Sequence, residues 1–153
     1  MKKIAIVLLA MTLTASVYGR SMSVVKNDSV VFSYLDSIKD MLDSLQVEEP
    51  IYVLAQATYE SGWFECKNCS WRYNNMFGFK GQSGKYLRFN TWQDCVIYYA
   101  NWQKKRYPKY KAKYPNGTYL GFLKWCHYAT GDDYNRKIQW TYNWILDNWA
   151  AED

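Results

Sequence analysis

The chain has 153 residues, with 19 Lys and Arg against 14 Asp and Glu for a formal charge of +5; 49% of its residues are apolar and 22% charged. These proportions exclude an intrinsically disordered chain, a collagen and a coiled coil. Aromatic residues make up 19%, with 15 Tyr and 8 Trp. That supply suits a core and also suits stacking on sugar rings, because Tyr and Trp pair an apolar face with a polar edge.

In chain order, Lys2 and Lys3 precede the apolar run Ile4 to Met11, and small residues lead on to Gly19. This is the pattern of a secretory signal peptide over residues 1–19, cut after Gly19 or, alternatively, after Ala15. The mature part, 20–153, is expected to be one exported domain. Its length, about 134 residues, is enough for a self-sufficient core. It holds no apolar run long enough to span a membrane.

Val31, Tyr34, Leu35, Ile38, Met41, Leu42 and Leu45 recur at three- and four-residue intervals and predict an amphipathic helix capped by Asp28 or Ser29. Glu48-Glu49-Pro50 predicts the start of a second helix, since acids and proline both suit a first turn. Gly62 should stop it, which leaves Glu60 in its last turn. The stretch from Trp63 to Asn75 reads as a loop. Phe77, Phe79, Tyr86, Leu87 and Phe89, with Gly81 and Gly84 at a turn, predict one short β-hairpin. Thr91-Trp92-Gln93-Asp94 is a capping box for a third helix that should fade before Pro108. Thr118 caps a fourth, Tyr119 to about Tyr128. A fifth, capped by Asp132 or Asp133, carries the stripe Tyr134, Ile138, Tyr142, Ile145 and Trp149. The fold class is therefore mainly α, with one small hairpin.

Lys104, Lys105, Arg106, Lys109, Lys111 and Lys113 interleave with Tyr107, Tyr110 and Tyr114. A platform for single-stranded nucleic acid has this look, but an exported protein rarely meets that ligand. The stretch reads as a solvated face that helps adsorption to an anionic wall. No nucleic-acid partner is expected.

Four cysteines, Cys66, Cys69, Cys95 and Cys126, fit two disulfides in an oxidising compartment, and four cysteines allow three connectivities. Cys66–Cys69 with Cys95–Cys126 would put the more stabilising bridge between two helices. Zinc held by Cys66, Cys69 and Cys126 or His127, thiol exchange at the Cys66-x-x-Cys69 spacing, and nucleophilic catalysis with His127 are weaker readings. No metal or other cofactor is expected.

The segment VLAQATYESGWF, residues 53–64, places a carboxylate at the end of a buried helix among Tyr59, Trp63 and Phe64. Apolar surroundings and the negative end of the helix dipole both disfavour ionisation, so Glu60 suits general acid catalysis. The bland reading of the same residue is a solubilising Glu at a helix end.

QATYESGWF, then NNMFGFKG at 74–81, FNTWQDCVIYYANW, and HYATGDDYNRKI at 127–138 resemble, in order and spacing, the signature blocks of the bacterial endo-β-N-acetylglucosaminidases, glycoside hydrolase family seventy-three. The resemblance covers residues 50–140. It implies a lysozyme-like α-rich fold and hydrolysis of the β-1,4 bond on the reducing side of N-acetylglucosamine in peptidoglycan. It assigns Glu60 as general acid and Tyr128 as a tyrosine facing the catalytic centre. Asn75, Phe77 and Gly78 become the cleft-lining entry to the hairpin, and Trp63 and Tyr134 join them as substrate-binding residues. A monomer acting on peptidoglycan glycan strands is expected.

Three departures stand out: Phe64 replaces a glycine, Gly131 stands where the family has Asp, and Gln82 to Lys85 replace a longer arm that carries a second acid. Glu65, Asp132 and Asp133 are then the only acids near matching blocks. An inverting mechanism and a substrate-assisted one, in which the sugar's 2-acetamido oxygen attacks, both remain open. Two rivals stand beside hydrolysis at this bond: a lytic transglycosylase or muramidase on the same substrate, and a wall-binding module that has lost catalysis.

Overall fold

The structure, a computed structural model, describes residues 28–128 and 133–150. The expected signal peptide, Gly131 and Asp132 lie outside the described residues. Five helices follow in order: α1 Asp28–Ser44, α2 Pro50–Glu60, α3 Trp92–Lys113, α4 Tyr119–Trp125 and α5 Tyr134–Asn148, with a 3₁₀ turn at Ser70–Tyr73. The chain is mainly helical and fits the lysozyme-like helical fold.

Helix α2 is the centre of the domain. Six consecutive residues, Val53 to Thr58, are buried, so the helix is covered on every side. α5 packs chiefly against α2, while α1 packs on both α2 and α3, and α4 on α3. The α1 stripe Val31, Leu35, Ile38 and Leu42 is fully buried, as the three- and four-residue spacing requires. From α5, Ile138, Thr141 and Ile145 enter the core, and Tyr142 stacks on Tyr52 with ring centroids 4.1 Å apart. The buried Gln103 of α3 ties down the start of α2: its side chain accepts from the Glu48 amide and donates to the Glu48 carbonyl, both at 2.8 Å.

Three expectations are corrected. α3 does not fade before Pro108 but continues to Lys113 with the proline inside it. Proline there forfeits one helical hydrogen bond, yet Tyr107 and Tyr110 on either side of it are buried against Phe122, and that packing carries the helix through. Burial also makes these two tyrosines unavailable for stacking on a ligand, leaving Tyr114 as the exposed ring of the interleaved set.

The hairpin shrinks to a single antiparallel bridge, Lys80 with Tyr86, and no strand forms among the described residues. The arms are too short for a ladder. Side-chain bonds from Asn74 and Asn75 to the loop backbone stabilise it instead.

The second disulfide is absent. Cys66 and Cys69 are paired, but Cys95 and Cys126 are free. The buried Cys95 sulfur faces the Asn75 side chain and the amides of Met76 and Phe77, whereas the half-buried Cys126 lies near Arg106. An even cysteine count favours pairing only where the sulfurs face each other.

Candidate active site

α2 delivers Glu60 at its C-terminal end and the chain then turns sharply. The Ser61 amide donates to Ala57 O, Gly62 to Tyr59 O and Trp63 to Thr58 O, which satisfies the last carbonyls of the helix. Gly62, Trp63 and Phe64 all take positive φ, at 58°, 62° and 61°. For Trp63 and Phe64 this costs roughly 1 kcal/mol or more each and persists only where packing enforces it. Phe64 is buried and stacks on Tyr34 at 4.8 Å, with Trp71 at 5.7 Å. Trp63 is held edge-on by Trp144 at 4.7 Å and Trp140 at 6.1 Å of α5. The replacement of glycine by Phe64 thus provides an anchor for the loop.

Beside Glu60 lies an open cleft of about 360 Å³, lined by Glu60, by Phe77 to Lys80, and by Tyr86, Trp102 and Tyr128. Burial pushes the Glu60 carboxyl above its ordinary range; a hydrogen bond from Tyr134 and the Lys80 cation oppose that shift without cancelling it. A carboxyl raised this way keeps its proton towards neutral pH, as a general acid needs.

The phenols of Tyr128 and Tyr134 are pushed well above their ordinary value, chiefly by burial and further by the neighbouring charges of Glu60 and other tyrosines, so both remain neutral. Tyr128 donates to the Phe77 carbonyl at 2.5 Å. Tyr134 belongs to a buried network under the acid. Gln56 Oε1 accepts from Tyr99 at 2.7 Å and from Tyr119 at 3.0 Å, which fixes the amide with Nε2 donating to the Tyr134 hydroxyl at 3.3 Å. With its oxygen accepting from Gln56, Tyr134 directs its own proton to Glu60.

The remaining expected residues take different places. Asn75 is fully buried and its side chain is spent on the loop: Nδ2 donates to Phe79 O at 2.8 Å and Leu87 O at 2.9 Å, and Oδ1 accepts from the Phe79 amide at 2.9 Å. It shapes the cleft wall without facing it. Phe77 lines the cleft and also packs on Tyr99 with ring centroids 4.1 Å apart, so its core and site readings both hold. Trp63 is turned to the α5 indoles and is not among the residues lining this cleft. Glu65 is exposed in a separate groove beside Cys66 and Trp71, and Asp133 pairs with Arg136 and Lys137. Among the described residues, Glu60 is the one acid that lines the cleft.

Sequence reasoning missed Gln56, Lys80, Tyr86 and Trp102. Gln56 had a usable signal, since it lies four residues before Glu60 and so on the same helix face. Trp102 sits four residues after Tyr98, and only the folded loop reveals that it meets Phe79 and Tyr128.

No curated protein shows a significant match to the chain. The glucosaminidase family model, described as mannosyl-glycoprotein endo-beta-N-acetylglucosaminidase, matches residues 35–145, a span that runs from the middle of α1 to the far part of α5 and includes the whole cleft. The chain belongs to this glucosaminidase family, glycoside hydrolase family seventy-three, and is by that membership a peptidoglycan hydrolase.

Proposed function

We propose that the protein hydrolyses the β-1,4 bond on the reducing side of N-acetylglucosamine in peptidoglycan glycan strands, with Glu60 as proton donor. The observation that supports this most directly is the burial-raised carboxyl of Glu60 at the edge of an aromatic cleft. Glu60 gives its proton to the departing glycosidic oxygen as the bond from C1 breaks. Glu60 is the one acid lining the cleft among the described residues, and attack on C1 by the substrate's own 2-acetamido oxygen is a route that needs no second carboxylate. Water then opens the cyclic intermediate at C1 and returns a proton to Glu60. Tyr128, whose proton is committed to the Phe77 carbonyl, has oxygen lone pairs free to accept the acetamido N–H and orient that group.

The N-terminal pattern of Lys2, Lys3 and an apolar run supports export, and no helix among the described residues is long and apolar enough to cross a membrane. The protein acts as a monomer on the wall side of the membrane. Digestion of purified sacculi followed by mass spectrometry of the products tests the reading. New reducing N-acetylglucosamine ends support it. Anhydro-muramic ends would replace it with a lytic transglycosylase, and binding without soluble products would make the protein a wall-binding module.

A further inference from the structure

Trp102 forms part of the wall of the Glu60 cleft. On the far side of that indole a second depression of about 510 Å³ is lined by Tyr98, Asn101, Trp102, Lys105 and Arg106. Trp102 belongs to both, so the two adjoin, and a path from one to the other crosses that indole on α3. The lining residues occur at three- and four-residue intervals and therefore share one face of the helix, and exposed Lys109 extends that face by another turn. From Tyr98 to Lys109 this face runs about 16 Å along the helix axis.

The chemistry changes along the path. At the cleft end the surfaces are rings and one acid. Past Trp102 they become an exposed amide, Asn101, and two exposed cations, Lys105 and Arg106. Among the described residues neither cation has an ion-pair partner. Arg106 is nonetheless placed, with its guanidinium 5.3 Å from the centre of the Trp102 ring. Tyr98, 43% exposed, is fixed edge-on against Phe79 and Phe89, at 4.9 and 5.5 Å. A rigid aromatic rim leading into two unpaired cations is a surface for a sugar whose substituent carries a carboxylate.

We propose that this depression is an anionic subsite, in which Lys105 and Arg106 bind a carboxylate of the peptide carried by a sugar of the glycan strand held in the Glu60 cleft. This inference rests on the substrate proposed above. Charge complementarity and adjacency to the cleft single out that occupant: a strand leaving the cleft over Trp102 brings its acidic substituents onto these cations. A diffuse attraction of the whole basic helix for polyanions is the competing description, and it makes no distinction between Lys105 or Arg106 and other lysines.

The test is binding of soluble, peptide-bearing glycan strands to full-length protein carrying Glu60→Gln, which leaves the strands intact. One batch keeps its carboxylates and the other has them converted to amides. The parent protein should bind the acidic batch more tightly. Adding Lys105→Gln and Arg106→Gln should weaken acidic-strand binding about five- to tenfold, leave amidated-strand binding unchanged, and abolish the preference. Glutamine on an exposed helix face keeps the fold. A control pair, Lys104→Gln with Lys124→Gln, removes equal charge from exposed positions outside both depressions. Retention of the preference in the first variant would overturn the subsite, and so would an equal loss in the control pair. Failure of the wild-type protein to digest sacculi would refute hydrolysis while leaving this binding comparison intact.

Discussion

Gly78 lies against the carboxyl of Glu60: a Cβ built on it would stand 2.9 Å from Glu60 Oε2 and 3.4 Å from Cδ. The loop backbone therefore forms part of the wall that removes the acid from water. Gly78 also has φ +67°, so two separate reasons reserve this position for glycine. Gly78→Ala should lower turnover at least about tenfold by displacing Glu60, and cost about 1–2 kcal/mol from the left-handed backbone. Digestion assays and urea unfolding of the variant check the two effects separately.

Glu60→Gln should reduce turnover by at least about a hundredfold, the low end for general acid catalysis, with the fold unchanged. Stability supplies an independent reading. The folded carboxyl titrates above its unfolded value. Between those two values the unfolded chain has released the proton that the folded chain keeps, so stability falls as pH rises through that window. The amide has no such loss. The variant should melt at a higher temperature than the parent above the window, with the gap closing below about pH 4, where the unfolded carboxyl is protonated too. Equal melting temperatures at all pH values would contradict a buried, perturbed Glu60.

Tyr134→Phe removes a hydrogen bond that lowers the Glu60 pKa. The acid should then hold its proton to higher pH. The falling limb of kcat/KM against pH, where the general acid ionises, should move up relative to wild type. A limb that stays in place or moves down would remove Tyr134 from contact with the acid.

Asn75→Asp should be nearly as damaging as Asn75→Ala, because the loop uses both Nδ2 protons, towards Phe79 and Leu87. Each leaves buried carbonyls unpaired, at about 1–3 kcal/mol for each group lost. Thermal melts of the two variants provide the comparison.

Denaturing alkylation should label two thiols, Cys95 and Cys126, and leave Cys66 and Cys69 unlabelled until reduction. In the native protein labelling should be slow near neutral pH, since burial raises Cys126 to about 11 and Cys95 to about 12. Cys126, half-buried, should react first.

Much of the fold was legible because local signals agreed with tertiary demands. The Thr91 capping box is present, with its hydroxyl accepting from Asp94 N at 3.2 Å and the Asp94 side chain accepting from Thr91 N at 3.0 Å. Thr118 caps α4 through Gly121 N at 3.1 Å. The stripes of α1 and α5 lie where their spacing puts them, except that Leu45, just past the end of α1, is exposed. Local rules failed where a contact distant in sequence decided the outcome. Proline argued for an end to α3, but burial of Tyr107 and Tyr110 prevailed. The alternating Phe77 to Phe89 pattern suggested strands, yet Asn74 and Asn75 hold that loop with side-chain bonds to its backbone. The position of Glu60 was readable from α2 alone, and Gln56 one turn earlier shares its face, whereas the partners Tyr134, Tyr99 and Tyr119 come from three other helices and leave no local trace.

Pro108 has one more consequence. Lacking an amide hydrogen, it leaves the Lys104 carbonyl without its helical donor, and its ring crowds that same oxygen. Pro108 and Lys104 are both exposed, so water can serve the carbonyl that lost its donor, while beyond the proline the Tyr110 hydroxyl ties the helix to the Thr118 carbonyl at 3.0 Å. The residue that looks like a helix breaker instead sits on the wet side of a strut whose far end is moored to the next helix.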